Sequence, residues 1–202
     1  SLCSPRRCRT AKATLAAIRD IDGPVITLQE RAPKPVVTKL DTPYQYGVAN
    51  IIRYTGRQPE FVDAFETSLS TDWSGAGADI AIVACGSPIS EAMRAAVILK
   101  ETKGLETTVV NLHTLKPLDK TGLLKAVQGC RGIITIAQQQ KTVLGNIVAG
   151  VVLEAGPQDL QKLVMMGVDD GYGATGAHYE LVQDYGLTAE HIAETAVTLL
   201  DV

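Results

Sequence analysis

The chain has 202 residues, 46% of them hydrophobic and 20% charged, with a formal net charge of -3. That is the composition of an ordinary globular protein with room for one sizeable core; it excludes a disordered chain, and the mild acidity speaks against a general nucleic-acid or membrane-surface partner. The longest apolar runs are strand-sized, well short of the ~20 residues needed to cross a bilayer as a helix. The four cysteines, Cys3, Cys8, Cys85 and Cys130, are scattered with no CxxC, which points to a reducing, cytoplasmic compartment.

The opening SLCSPRRCR has basic residues but no apolar stretch after them, so it reads neither as a signal peptide nor as the start of a domain. Residues 10–20, with Thr10 as N-cap and Leu15 and Ile18 on one face, predict a helix. Asp22, Gly23 and Pro24 break it, and residues 25–28 predict a short strand. Three prolines, Pro33, Pro35 and Pro43, then mark an extended linker. Residues 48–54 predict an edge strand, and residues 61–73 a short helix or ordered insertion, with Phe61, Phe65 and Leu69 at helical spacing.

From residue 79 the pattern becomes regular. An apolar run at 80–85 stops at Gly86, a helical pattern follows with Met93, Ala96, Val97 and Lys100, and a second run at 107–112 ends at His113: one βαβ unit. Asp119 caps a helix over 120–127, and residues 132–137 predict a strand. Residues 138–145 predict a loop, with a helix opening at Gly145 and running to Glu154. A strand at 163–168, a glycine-rich loop, a short helix from His178 to Tyr185 and a last helix over 189–200 capped by Thr188 complete the chain. The expected fold is α/β, three layers α/β/α around a mostly parallel sheet of about five strands, with one edge strand whose direction stays open, antiparallel included.

Few residues carry chemistry on their own. Gly86 stands between a strand and a helix, but CGSPIS has no phosphate-loop pattern, so a tight turn is the better reading. The loop DDGYGATG lacks the spacing of a calcium site. Ser87, His113 and a carboxylate such as Asp119 or Asp170 make an imaginable hydrolase triad, but the GxSxG elbow is missing, Ile89 standing where its second glycine belongs. Ser87 and His113 are therefore weak catalytic candidates. His113 ends a strand, where open α/β sheets place ligands, and equally can hold the HTLKPLD turn. His178 and His191 read as surface or capping groups, and no metal site is predicted.

The stretch GSPISEAMRAAVILKETKGLETTVVNLHTLKPLD resembles the C-terminal domain of transketolases and related thiamine-diphosphate enzymes, through Gly86, Glu91, Ala92, Ala95, Ala96 and Leu99 and then Asn111, His113, Thr114, Lys116, Pro117 and Asp119. The lead-in ATLAAIRDIDGPVITLQER is similar to the end of that family's pyrimidine-binding domain, and YGLTAEHIAETAVTLL to its terminus. The resemblance implies three segments: residues 1–31 as the tail of a truncated pyrimidine-binding domain, 32–47 as linker, and 48–202 as the C-terminal domain. It implies transfer of two-carbon ketol units between sugar phosphates on thiamine diphosphate and magnesium. The GDG motif with its asparagine, and the glutamate that activates the cofactor, are not in this chain. The chain is thus expected to bind no cofactor alone and to act with a partner chain carrying the cofactor domains, or as a homodimer. Arg31 falls where the family places a guanidinium on the substrate phosphate. At 137–142 and 171–176, positions that are charged in the family are neutral or small here. The alternative readings are a stand-alone binding or dimerisation module and an acquired esterase-like activity using Ser87.

Overall fold

The structure, a computed structural model, describes residues 8–20, 22–24, 26, 35–39, 41–75, 77–156 and 162–202, with side chains from residue 14 onward. Arg31 and most of the strand expected at 25–28 lie outside the described residues. Six strands form one sheet: β1 (Asn50–Tyr54), β2 (Phe65–Leu69), β3 (Ile80–Cys85), β4 (Thr107–Asn111), β5 (Gly132–Gln140) and β6 (Lys162–Val168), in the order β2-β1-β4-β3-β5-β6. β4, β3, β5 and β6 run parallel, with Ile80 level with both Thr107 and Gly132. β1 is antiparallel to β4 and to β2.

The alternation of side chains builds two cores. Ile80, Ile82, Ala84, Val109, Ile134 and Ile136 face the helices α2 (Ile89–Lys103) and α6 (Ala189–Leu200). Ala81, Val83, Val110, Ile133 and Ala137 face α3 (Lys120–Val127) and α4 (Lys141–Ala155). A central strand covered on both faces needs apolar residues at successive positions, which is why β3 and β5 read as continuous runs. α2 carries Glu91 in its first turn and Lys100 and Lys103 in its last, matching the helix dipole. The Asp119 side chain accepts from Gly122 N and Thr188 accepts from His191 N, so both expected caps are in place.

Four expectations are corrected. β1 is not the edge strand: β2 pairs outside it, from Asn50 opposite Leu69 to Tyr54 opposite Phe65. The spacing of Phe61, Phe65 and Leu69 satisfies a helix, but pairing with β1 wins, and only a 3-10 turn, Phe61–Ala64, precedes β2. No loop occupies 138–145: β5 continues to Gln140 past an irregularity after Ile136, and α4 opens directly at Lys141. Finally α1 (Cys8–Asp20) begins before Thr10, which is an interior helical residue and not a cap.

Candidate functional site

The chain leaves β3 through α2 on one face to reach β4, then returns through α3 on the opposite face to β5, on the far side of β3. The crevice between the carboxyl ends of β3 and β5 is therefore the point where the winding reverses, the place where open α/β sheets hold ligands. A cleft of about 770 Å³ reaches this end of the sheet. Ser87, from the turn after β3, and Gln138, from the end of β5, line it. So do Glu91 and Arg94 of α2, His178 and Tyr179 of α5 (His178–Asp184), and Thr188 and Ala189 at the start of α6. It extends to Tyr54, Arg57 and Phe61. The positive φ of Gly86, 76°, lets the chain turn from β3 into α2 and brings Ser87 to the cleft.

Both arginines of the cleft are already paired. Glu91 accepts from Arg94 Nη1 at 3.0 Å and from the Ala189 backbone N–H at 3.1 Å, so one carboxylate serves a cation and the N-terminus of α6 together. Arg57 pairs with Glu101 at 3.0 Å, and Tyr54 donates its hydroxyl to the same carboxylate at 2.8 Å. The Tyr54 hydrogen bond and then Arg57 hold the Glu101 carboxyl below its ordinary range. Such a site can take up a ligand by shape and neutral hydrogen bonding more readily than by a free charge.

The three members of the imagined triad have separate surroundings. Ser87 belongs to the cleft, whose lining does not include His113 or Asp119. His113 follows β4 and is half-buried, its Nδ1 2.9 Å from Thr114 Oγ1 and its ring 4.9 Å from that of Tyr44. Burial pushes its pKa down, while the Val48 backbone and Asp119 pull the other way. Asp119 accepts from Ala49 N at 2.9 Å, from Gly122 N at 2.8 Å and from the Ser70 hydroxyl. Asp170 and the whole of 171–176 are exposed, with Ala174 N donating to the Tyr185 hydroxyl at 2.7 Å. Cys85 and Cys130 are free thiols, both pushed up by burial. Among the described residues no three His, Cys, Asp or Glu side chains come together to hold a metal ion, and the cations of the cleft are taken by Glu91 and Glu101, so these residues do not fit a diphosphate–magnesium site. No helix among them is long and apolar enough to cross a membrane.

Two features escaped sequence reasoning. Glu91 is only a motif letter in the sequence, yet it joins α2 to α6 through Ala189, 98 positions further along the chain; an acid in a first turn with Arg94 three residues on is the available signal. Tyr44 and Tyr46 fell in the linker, where nothing marked them as contacts of the 113–119 turn.

Residues 72–192 match the family described as transketolase, C-terminal domain. The chain is 29% identical over 191 residues to the 6-deoxy-6-sulfo-D-fructose transketolase subunit of Clostridium sp. (strain MSTE9), covering 90% of this chain and 56% of that protein. It is 34% identical over 125 residues to an apulose-4-phosphate transketolase subunit of Actinobacillus succinogenes, covering 61% of this chain and 39% of the relative. A solved chain described as a split gene transketolase, inactive beta4 tetramer, superposes with a TM-score of 0.63 at 26% identity, over 85% of this chain and 47% of the other. The chain therefore spans between 39% and 56% of the length of these three proteins.

Proposed function

The chain belongs to the transketolase C-terminal domain family, and on that premise we propose that it is the carboxyl-terminal part of a two-part ketol transferase, incomplete alone and completed by chains that carry the cofactor domains. The observation that carries this reading is the relation to a transketolase subunit along 90% of the chain, of which it spans 56%. The family features at Gly86–Asp119 build the βαβ core and its turn, in keeping with a domain that supports a catalytic centre made elsewhere. Thiamine diphosphate with magnesium would supply the carbanion chemistry of the completed enzyme. This chain's part would be to position the cofactor domains and, through Arg31, to hold the phosphate of a sugar substrate by paired guanidinium hydrogen bonds. In this reading residues 1–31 belong to the pyrimidine-binding domain, 32–47 link, and 48–202 form the supporting domain; the assembly, with a second copy or a cofactor-bearing chain, works in the cytoplasm. The readings as a bare binding module or an esterase using Ser87 draw no support from the relatives.

The test is co-expression with a chain that carries the GDG motif and the catalytic glutamate. The complex is expected to transfer ketol units between sugar phosphates, and each chain alone is not. Arg31→Ala in that complex should raise KM for the phosphorylated substrate at least tenfold with a smaller change in kcat, the pattern of a lost binding contact. An unchanged KM would remove Arg31 from the phosphate site, and full activity of this chain without a partner would overturn the two-part reading.

A further inference from the structure

We propose that residues 43–50 form a pH-sensitive clasp on the 113–119 turn, closed over neutral His113 and loosened when His113 takes up a proton. The clasp is a dense set of contacts between segments about 70 residues apart. Tyr46 donates its hydroxyl to Lys116 O at 2.9 Å, Gly47 N donates to Thr114 Oγ1 at 3.4 Å, and Ala49 N donates to Asp119 Oδ2 at 2.9 Å. Within the strap Asn50 Nδ2 donates to Pro43 O at 3.0 Å, and Gln45 pairs with Val48. The approach is close: Gly47 has a φ of 78°, and a Cβ placed on it would lie 3.0 Å from Pro117 Cγ. The Tyr44 ring lies over that of His113, tilted by 33°.

His113 is the titratable group at the centre of these contacts. Thr114 Oγ1 accepts from Gly47 N with one lone pair and meets His113 Nδ1 at 2.9 Å, as donor or acceptor according to the ring's tautomer. In the imidazolium both ring nitrogens donate, so whichever tautomer the neutral ring holds, Thr114 Oγ1 must accept at Nδ1. The new charge would arise in a half-buried ring whose Nε2 is shut off from water with no partner in hydrogen-bonding geometry. The groups facing the ring are Tyr44 and the Val48 backbone from the strap and Thr114 and Asp119 from the turn. Only the Val48 backbone and Asp119 favour the imidazolium, and burial outweighs them. The closed clasp therefore prefers the neutral ring. Its stabilisation is complete above the ordinary imidazole pKa of about 6.5 and declines as pH falls below that value. Opening would lengthen the tether between the segment before Pro43 and the sheet, changing how freely the two can be placed.

Amide hydrogen exchange of the purified chain tests this, read at Gly47 and Ala49 with Val110 in β4 as reference and rates corrected for intrinsic pH dependence. Between pH 7.5 and 5.5 the protection of Gly47 and Ala49 should fall by up to about tenfold, the limit for one proton over the unit below 6.5, while Val110 stays protected. His113→Gln should remove the pH dependence, and Gly47→Ala should expose both strap amides at either pH. An imidazole titration by NMR serves where a variant does not fold: His113 should titrate below 6.5 in the native chain. Equal strap protection at both pH values, the same loss in His113→Gln, or His113 titrating at or above 6.5 would each overturn the proposal.

Discussion

Asp119 ties three separate parts of the chain together. Its carboxylate caps α3 through Gly122 N, holds the strap through Ala49 N and meets the Ser70 hydroxyl at the end of β2. Removing it deletes a cap, worth about 1 kcal/mol, and strands two further donors in a half-buried place. Asp119→Ala should therefore cost about 2–4 kcal/mol in urea unfolding, and Asp119→Asn, which keeps an acceptor, distinctly less; a loss below about 0.5 kcal/mol for the alanine variant would refute this role. The thiols give a second check at the same scale. Burial pushes Cys85 and Cys130 up, so at pH 7.5 both should alkylate much more slowly in the folded chain than in urea. Mapping by mass spectrometry would show it, and equal rates in both states would contradict the placement of these side chains.

At the scale of elements, Glu91 ties α6 to α2, and Thr188 serves the same helix end from the other side. Each single alanine substitution should cost about 1 kcal/mol, and the two together should deviate from additivity because they act on one terminus. A double-mutant cycle closing to within the error of the measurement would mean the two contacts are independent. Elements also show what could be read from the chain. The βαβ unit of β3, α2 and β4 was legible because buried parallel strands and a capped helix leave unmistakable runs, and Asp119 and Thr188 announced their helices by type and position. β2 was not, because Phe61, Phe65 and Leu69 fit two periods at once and only the partner strand decides between them. The extension of β5 to Gln140 was hidden for the opposite reason: three glutamines carry no strand signal, and the pairing of Gln140 with Val168 is a tertiary fact. The strap looked like a linker, since proline and glycine signal an irregular backbone and say nothing of what that backbone touches. The candidate cleft was legible only in part: Ser87 was found by its turn, while Arg57, Arg94 and Gln138 meet there from elements far apart in sequence.

For the molecule as a whole, residues 72–192 match the C-terminal domain family, the fold agrees with that of a solved split gene transketolase chain, and the chain spans a fraction of each relative. What the described residues build is a framework: paired arginines in the cleft, a clasped strap and no cluster able to hold a metal. Whether this chain contributes structure to a centre whose cofactor is bound by other domains is tested by calorimetric titration of thiamine diphosphate with magnesium into the purified chain. No saturable heat is expected if other domains bind the cofactor. Saturable one-to-one binding by the chain alone would contradict it.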